Sequence, residues 1–349
     1  MVKKEFKPSP EQEAAVGHYL RGGDLKLLAV AGSGKTTTLK LMAEATPKKR
    51  LLYLAFNRSL TEEARGRFPR NVAVKTLHSL AWHEVVRNNP RLQAKLGEGE
   101  AHGQVRPHHV AKALRINDPL LAMVVRDSLA RFLRSWDPKP RPHHIPEDFR
   151  QSRAHLDGKR WADLEAFILQ GVETLWNRMR DEDDPFPLSH DGYVRIWAER
   201  GSRIRGFDAV LVDEAQDLDP VFAHLLELHK GTLQRIYVGD PRQSIYRWRG
   251  AVDAMTPLSA PEAHLTWSFR FSDRLGEAVR RVSARSQGGL IPVLGKAPWE
   301  TVVDSREPAP PFTVLTRTNA WAMHAVLHYE PVHRDRVHVV GGVEELVWL

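Results

Sequence analysis

The segment AGSGKT at residues 31–36 combines two glycines with a lysine and a threonine, directly after a short apolar run. Glycine has no Cβ, so the backbone amides at Gly32 and Gly34 can approach a large anion closely. A helix that begins near Lys35 would direct its unpaired N–H groups and the positive end of its dipole at the same anion. The hydroxyl of Thr36 is a suitable ligand for a metal ion. These residue types at this spacing predict a site for a metal-bound polyphosphate.

The same segment resembles the Walker A phosphate loop except at its first position, where Ala29 replaces the glycine of the strict pattern. In such a loop Lys35 would bridge the β- and γ-phosphates, and Thr36 would place its hydroxyl on Mg²⁺. The alternative is a glycine-rich turn before a core helix. That alternative does not explain why a strand, a loop, a lysine and consecutive threonines coincide.

A second polar cluster, LVDEAQD at residues 211–217, follows another apolar run. A phosphate loop needs a carboxylate partner that holds the metal ion, and the end of a strand is a suitable place for it. We predict this role for Asp213, and we predict that Glu214 orients and deprotonates an attacking water. An acidic helix N-terminus would also explain the two acids, but not their position after an apolar strand.

Both clusters depend on strands and helices that hold them in place. Short apolar runs rich in β-branched and aromatic residues alternate with helical patterns, which favours a parallel sheet covered on both faces. Between about Trp82 and Tyr193 the strand pattern disappears, which indicates a mostly helical insertion between two halves of one sheet. The predicted strands are Leu25–Val30, Leu51–Phe56, Val72–Thr76, Phe207–Asp213, Leu233–Gly239 and a further strand at 311–317.

The composition narrows the class of protein. The chain has 349 residues, no cysteine and a formal net charge of +8. Its length suggests two or three domains at ~100–200 residues each, and the absence of cysteine excludes disulfides, thiolate metal sites and cysteine nucleophiles. No apolar run is long enough for a membrane span and no secretory signal is recognisable, so we expect a soluble, cytoplasmic protein without a membrane partner. The positive charge favours nucleic acid as a partner, with a basic but unrelated soluble enzyme as the alternative.

Several further segments resemble superfamily 1 helicases of the UvrD/Rep type, and they occur in order over residues 12–320. Details such as SHDGYVRIW look most like the F-box DNA helicase branch and its phage relatives. The resemblance implies an α/β fold: a RecA-like P-loop NTPase sheet with a mostly helical insertion, followed by the beginning of a second RecA-like domain. It also implies ATP and Mg²⁺ as cofactors. The matching segments are PSPEQEAAV, YLAFNRSLTEEA, VKTLHSLAW, VGDPRQSIYRWRGA, LTWSFR and VLTRTNA.

The resemblance assigns roles around the nucleotide. It implies that Gln12 reads adenine, that Phe269 stacks on adenine, and that Gln243 contacts the γ-phosphate and the lytic water. Arg270 would neutralise charge on the γ-phosphoryl group, as an arginine finger does. Thr37 stands where many relatives have an arginine beside the base. The implied nucleotide-binding residues are Gln12, Gly32, Ser33, Gly34, Lys35, Thr36, Thr37 and Phe269, with metal ligands Thr36 and Asp213 and catalytic residues Lys35, Asp213, Glu214, Gln243 and Arg270.

The resemblance also implies single-stranded DNA and single-strand/duplex junctions as partners. Tyr246 and Trp248 are two residues apart, and aromatic rings stack on unpaired bases without demanding a sequence. Arg249 beside them suits a backbone phosphate. For Trp248 the alternative is a core aromatic, although the segment YRWRG is heavily charged for a buried one. The implied DNA-binding residues are Phe56, Asn57, Thr76, His78, Tyr246, Trp248 and Arg249.

Other features allow more than one interpretation. Residues 101–160 contain 12 Lys or Arg against 6 Asp or Glu, which favours a salt-dependent DNA contact over a merely solvated helical surface. The pairs His108–His109 and His143–His144 are not expected to hold a metal, because adjacent side chains diverge and no flanking carboxylate completes a set. The acidic run at 181–184 is interpreted as a solvated linker rather than a nuclease site.

We assign residues 1–85 and 190–262 to a first motor domain, 86–189 to a basic helical insertion and 263–349 to the start of a second motor domain. No segment resembles the family's motifs V and VI, so we expect the N-terminal portion of a longer helicase, or a chain to which a further polypeptide supplies those motifs. The predicted activity is ATP-driven, 3′-to-5′ movement on single-stranded DNA. The alternatives are an ATP-gated single-strand binding module and a partner-completed subunit with little turnover of its own.

Overall fold

A parallel β-sheet forms the centre of the protein, as a computed structural model of the chain shows. Its strands are β1 (Leu25–Ala29), β2 (Leu51–Ala55), β3 (Val72–Thr76), β4 (Ala209–Val212), β5 (Gln234–Gly239) and β6 (Glu262–Leu265). The strands lie in the order β3-β2-β4-β5-β1-β6, and every pairing is parallel. The structure describes residues 7–55, 61–62, 64–99, 102–153, 155, 157–201, 203–243, 255, 259–285, 292–302, 311–316, 318–333 and 337–339.

Helices flank this sheet and also form the long segment between β3 and β4. Many begin at a residue that caps free backbone N–H groups: Ser9 forms a reciprocal capping box with Gln12, and Asp118 and Asp157 accept N–H groups of their own first turns. The helices of the described residues are α1 (Pro10–Leu20), α2 (Lys35–Ala45), α3 (Leu77–Ala81), α4 (Pro90–Lys95), α5 (Pro107–Leu114), α6 (Pro119–Arg134), α7 (Glu147–Ser152), α8 (Gly158–Arg180), α9 (His190–Glu199), α10 (Pro220–Glu227), α11 (Asp273–Ser283) and α12 (Asn319–His333).

The sheet is buried on both faces, which explains why its strands read as almost continuous apolar runs. Side chains alternate between the two faces along a strand. On β2, Leu51 and Tyr53 pack with α1 and α2, whereas Leu52 and Leu54 pack with the long helical segment. The helices on the two sides therefore pack against opposite faces of the same sheet.

A buried arginine joins two parts of the helical segment between β3 and β4. Arg195 on α9 is only 2% exposed, and its guanidinium donates to the carbonyl oxygens of Ser135 at 2.6 Å and Asp137 at 2.7 Å. The same group lies over the rings of Phe132 and Trp136, with centroid distances of 4.7 and 5.1 Å. Phe132 lies in the last turn of α6, and the other three contacted residues follow that helix directly. Arg195 therefore holds the end of α6 against α9.

The chain divides into two compact units, Met1–Thr301 and Val302–Leu349. The second unit contains α12, and the ring of Tyr329 contacts that of Phe312 at 5.2 Å. The prediction of a strand at 311–317 is wrong for residues 311–316, which the structure describes and which form no strand. The limits of the motor domains drawn from the sequence stay a prediction; β6, at 262–265, pairs with β1 inside the large sheet.

Within the described part of the chain, no helix combines the length and the apolar character that a bilayer span requires.

Candidate functional site

The loop after β1 has the shape that its glycines predict. Gly32 and Gly34 have φ angles of 73° and 81°, in the left-handed region that favours glycine. Gly34 is the N-terminal cap of α2, and Lys35 is the first residue of that helix. A Cβ on Gly32 would lie 2.6 Å from the Cβ of Arg270 and 2.9 Å from the hydroxyl of Ser268. The loop therefore needs glycine at this position both for its conformation and for the close approach of residues 268–270.

The two predicted polar clusters meet at the carboxyl edge of the sheet. The Nζ atom of Lys35 lies 2.7 Å from Oε2 of Glu214, and their side chains are 12% and 30% exposed. The hydroxyl of Thr36 donates to Oδ2 of Asp213 at 3.2 Å. These pairs join the start of α2 to the residues that follow β4, although the two segments are far apart in the chain. The structure thus brings the candidate phosphate-binding and metal-binding groups into direct contact.

Asp213 is buried, with 5% of its surface exposed. The phenol of Tyr53 donates a hydrogen bond of 2.7 Å to its Oδ2 atom. Burial raises the pKa of the Asp213 carboxyl, and the neighbouring charge of Glu214 raises it further; the bond from Tyr53 and the charge of Lys35 oppose this rise without cancelling it. A divalent cation at this carboxylate would supply the positive charge that favours its ionised form.

Glu214 is linked to the end of β5 through Gln216. Glu214 itself has a φ of 51°, which is unusual for a residue with a side chain. The amide of Gln216 donates to Oε2 of Glu214 at 2.8 Å, and its oxygen accepts the backbone N–H of Asp240 at 3.1 Å. Asp240 in turn accepts the side-chain amide of Gln243 at 2.7 Å. A continuous chain of hydrogen bonds therefore connects the candidate base to Gln243.

Gln12 lies beside the phosphate loop, although its amide is used inside the protein. It is 2% exposed; its oxygen accepts the backbone N–H of Ser9 at 3.0 Å, and its Nε2 donates to Thr38 at 3.3 Å. A Cβ on Gly34 would lie 3.0 Å from the same Nε2 atom. The structure places Gln12 next to the loop, and its role in reading adenine remains a prediction. Thr37 is partly exposed in the first turn of α2.

The segment that contains Phe269 and Arg270 is fastened to the phosphate loop. The backbone N–H of Phe269 donates to the carbonyl of Gly32 at 2.9 Å. The carboxylate of Glu11 on α1 accepts the backbone N–H groups of Thr266 at 2.7 Å and Trp267 at 3.3 Å. Both Phe269 and Arg270 are exposed beside the loop. Glu11 was not predicted from the sequence, although it stands next to Gln12 in the segment PSPEQEAAV.

The predicted DNA-binding residues are only partly described. Thr76 caps α3 by accepting the backbone N–H of Ser79 at 3.1 Å. His78 is 43% exposed, and its Nε2 lies 3.3 Å from Oδ1 of Asp191. The remaining predicted residues lie outside the described part of the chain; they are Phe56, Asn57, Tyr246, Trp248 and Arg249.

One cluster outside this site has the composition of a metal centre. Asp137 lies 2.8 Å from Nε2 of His143 and 3.2 Å from Nε2 of His144, so the expectation that no carboxylate flanks this histidine pair is wrong. However, Nδ1 of His144 accepts the backbone N–H of Arg141 at 2.8 Å. The proton of the neutral ring must then be on Nε2, the atom that would have to bind the metal. The geometry favours a structural histidine.

The phosphate loop also satisfies a test of fit to a nucleotide. Within the described residues, the buried hydroxyl of Ser33 has no hydrogen-bond partner. Buried polar atoms almost always have one, and a phosphate oxygen would supply it. With the charge of Lys35, the N-terminus of α2 and the oxygens of Thr36 and Asp213, the loop fits a nucleotide polyphosphate with Mg²⁺. A parallel sheet with these groups at its carboxyl edge defines a P-loop NTPase of the RecA-like kind.

Comparison with known proteins leads to the same class. The chain belongs to the AAA domain family, whose model matches residues 12–249, and it is a superfamily 1 helicase of the UvrD/Rep type. It is 31% identical to F-box DNA helicase 1 of Gallus gallus over 353 residues, which cover 97% of this chain and 34% of that protein. It is 32% identical to F-box DNA helicase protein 1 of Schizosaccharomyces pombe over 287 residues, 76% of this chain and 32% of that protein.

A more distant match is DNA helicase IV of Escherichia coli strain K12, 25% identical over 343 residues, which cover 82% of this chain and 49% of that protein. The chain thus spans about a third of the length of the two F-box helicases that it matches.

Proposed function

We propose that the chain is the ATP-dependent motor of a DNA helicase, moving 3′-to-5′ on single-stranded DNA and at single-strand/duplex junctions. The observation that supports this best is the meeting of Lys35 and Thr36 with Glu214 and Asp213 at the edge of the sheet. The named relatives are DNA helicases, which supports DNA as the partner. A cytoplasmic setting, nucleoid-associated or phage-encoded, and a role in repair or recombination belong to the same proposal.

The residues divide the work of ATP hydrolysis between binding and proton transfer. Lys35 and the N-terminus of α2 would hold the phosphates, and Thr36 and Asp213 would hold Mg²⁺, whose charge stabilises the transferred phosphoryl group when it is bound. Glu214 would accept the proton of the attacking water. Its carboxylate accepts hydrogen bonds from Lys35 and Gln216, and the bond from Gln216 would hold it in place when Lys35 turns to the phosphates.

The hydrogen-bond chain from Glu214 to Gln243 supports coupling between ATP and DNA. Gln243 ends the described segment after β5, and the predicted DNA-binding aromatic residues Tyr246 and Trp248 follow it within five residues of sequence. A change at Glu214 would alter the bond to Gln216, and through Asp240 it would alter the orientation of Gln243. Such a connection would let the nucleotide state bias the contact with the strand.

The first experiment is ATP hydrolysis by the purified chain, with and without an oligothymidylate. We expect turnover that the DNA stimulates and that Lys35→Ala abolishes. Lys40→Ala is the matched control, because Lys40 lies in the same helix, is 44% exposed and pairs with Glu44 at 3.6 Å. Equal loss in both variants, or normal turnover in Lys35→Ala, would contradict the assignment of the phosphate loop.

A second candidate function is an ATP-gated single-strand binding module, or a subunit whose site a partner completes. The pairing of Lys35 with Glu214 favours it, since a carboxylate that stays paired with Lys35 could not activate water. In this case the chain would bind a fluorescent ATP analogue and DNA, with each altering the affinity of the other, but turnover would stay at the Lys35→Ala level. Strong DNA-stimulated turnover by the chain alone would exclude this candidate.

A further inference from the structure

The carboxylate of Glu11 joins α1 to residues 266–270, which we call the 266–270 segment. Glu11 lies in the first turn of α1. Its Oε2 atom accepts the backbone N–H groups of Thr266 at 2.7 Å and Trp267 at 3.3 Å, and its Oε1 atom accepts the hydroxyl of Thr266. A single side chain of α1 therefore binds three donors at the start of the 266–270 segment.

Glu11 acts at the point where the chain leaves the large sheet. Leu265 is the last residue of β6, and its carbonyl accepts the backbone N–H of Val30 at 3.0 Å. The N–H groups of the next two residues donate to Glu11, which lies on a helix rather than on a neighbouring strand. A carboxylate has two oxygens for such donors, and bonds to an ionised acceptor are stronger than neutral ones. Glu11 therefore sets the direction in which the chain continues after β6.

Three residues after Thr266, the 266–270 segment is bound to the phosphate loop. The backbone N–H of Phe269 donates to the carbonyl of Gly32 at 2.9 Å. Between these two attachments, Ser268 is fully buried, and its carbonyl accepts the backbone N–H of Lys296 at 2.7 Å. Three residues of extended chain span only about 10 Å. The bonds to Glu11 and to Gly32 together define the path of the segment across the loop.

The side chains of Phe269 and Arg270 depend on that path. Phe269 is 42% exposed, and Arg270 is exposed as well. An exposed side chain has few packing contacts that fix it, so its place is set mainly by the backbone that carries it. The attachment at Glu11 therefore affects where the phenyl ring and the guanidinium stand relative to the phosphate loop.

We propose that Glu11 is a positioning residue of the nucleotide site, which places Phe269 beside the base and Arg270 beside the γ-phosphoryl group by holding the start of the 266–270 segment. This inference rests on the proposed function, which supplies the nucleotide and the roles of Phe269 and Arg270. Glu11 itself contacts neither the nucleotide nor the attacking water. Its loss weakens nucleotide binding through Phe269 and slows hydrolysis through Arg270.

The first measurement is the turnover number for ATP in two variants of Glu11. Glu11→Ala removes all three acceptor contacts, and we expect a fall of about 10²-fold, the cost of a misplacement of about 1 Å. Glu11→Gln should retain most of the activity, because its amide oxygen can accept both backbone N–H groups and its Nε2 can donate to the hydroxyl of Thr266. Glu13→Ala is the matched control: Glu13 is exposed and removes the same charge from the first turn of α1.

Double-mutant cycles separate positioning from a general loss of structure. If Glu11 acts through Arg270, Glu11→Ala should cause no further loss of turnover in a chain that already carries Arg270→Ala. If it also acts through Phe269, Glu11→Ala should cause no further loss of affinity for a fluorescent ATP analogue in a Phe269→Ala chain. A role in stability alone would instead reduce activity by the same factor in every background. Circular dichroism and thermal unfolding confirm that each variant is folded.

Equal turnover in Glu11→Ala and Glu13→Ala, or losses that multiply in the double variants, would overturn the inference and leave the helicase proposal intact. If wild type binds the ATP analogue without turnover, the affinity cycle with Phe269→Ala decides the question. Absence of nucleotide binding by wild type would contradict the proposed function itself. If Glu11→Ala fails to fold, Thr266→Val replaces it. That variant removes only the hydroxyl bonded to Glu11, and it should lose roughly fivefold in turnover, the equivalent of one hydrogen bond.

Discussion

Nζ of Lys35 and Oε2 of Glu214 lie 2.7 Å apart, so the group expected to bind phosphate and the group expected to activate water form an ion pair. A polyphosphate that attracts Lys35 must draw it away from Glu214. That exchange frees the carboxylate, whose bond to Gln216 can remain. With the proposed roles of these two residues, binding of the phosphates would itself release the candidate base.

Glu214→Gln should separate nucleotide binding from hydrolysis. The amide keeps the size of the side chain but accepts no proton, so we expect turnover to fall by ~10²–10⁴-fold, the usual contribution of a general base. Lys35 loses its charged partner, so nucleotide affinity should stay the same or increase. ATPase assays and titration with a fluorescent ATP analogue measure the two effects. Glu44→Gln on α2 serves as the control, and a parallel loss of binding in Glu214→Gln would contradict the assigned role.

Tyr53→Phe should affect both stability and the response to Mg²⁺. The substitution removes one of the two donors to the buried Oδ2 of Asp213, the other being Thr36, at a cost of about 1 kcal/mol in the free energy of unfolding. Urea denaturation measures the change in the free energy of unfolding. The Mg²⁺ concentration at the midpoint of ATP hydrolysis and of nucleotide binding shows whether the ability of Asp213 to hold the metal ion has changed.

Tyr19→Phe is the matched control for that substitution, since its hydroxyl lies 2.8 Å from Thr46, away from the candidate metal ligands. It should lower stability without moving the Mg²⁺ midpoint. The same Mg²⁺ midpoint in Tyr53→Phe and wild type would show that Tyr53 serves stability alone.

Gly32→Ala should lower the stability of the protein by more than its backbone angle alone explains. Its φ is 73°, and the added Cβ would meet the Cβ of Arg270 at 2.6 Å. Gly22 has a φ of 84° with nothing within 4 Å, so Gly22→Ala measures the cost of the angle by itself. We expect ~1–2 kcal/mol for Gly22→Ala and ~1–3 kcal/mol more for Gly32→Ala. Equal thermal stability of the two variants would mean that the 268–270 segment moves aside freely.

Acid should destabilise the protein through buried neutral histidines. Burial and the charge of His143 lower the pKa of His144 to about 4. Between the ordinary pKa of ~6.5 and this value, the unfolded chain binds a proton that the folded chain does not, so stability falls as the pH decreases through that window. The full effect for this group is ~3 kcal/mol. Urea denaturation at several pH values should give a shallower slope for His144→Gln, whereas His264→Gln, at a histidine whose side chain is 54% exposed and which does not contact His144, should keep the wild-type slope.

Most strands of the large sheet, the phosphate loop and the acidic residues after β4 could be predicted from the sequence. Parallel strands buried on both faces leave apolar runs that are easy to recognise, and five of the six strands of the large sheet were placed within two residues of their ends. The phosphate loop and the acids after β4 were predicted to work together because a phosphate loop needs a carboxylate partner for its metal ion. The structure brings them together because the carboxyl ends of parallel strands share one edge. The Lys35–Glu214 and Thr36–Asp213 contacts agree with that expectation.

Other features depend on contacts that spacing does not encode. The sequence did not predict a role for Tyr53, because its hydrogen bond to Asp213 joins two strands that are distant in the chain. The phenol is the only polar side-chain group in the strand LLYLA, and that could have indicated a role. Gln216 lies inside the motif LVDEAQD, but no role was predicted for it, because its partner Asp240 follows a different strand, β5. The flanking Asp137 of the histidine pair was missed because the 142–144 turn folds back onto it. The strand expected at 311–317 shows that β-branched composition alone does not supply a pairing partner.

The strand order has a consequence for synthesis on the ribosome. Leu27 of β1 pairs with Val238 of β5 on one side and with Ala263 of β6 on the other. The strand that carries the phosphate loop is therefore made early, yet both of its neighbours are made late. Until they emerge, β1 presents two unpaired edges, a state that invites association with other chains. Slow closure of such distant contacts makes the nascent chain a natural client for chaperones, and the nucleotide pocket would be among the last parts of the sheet to form.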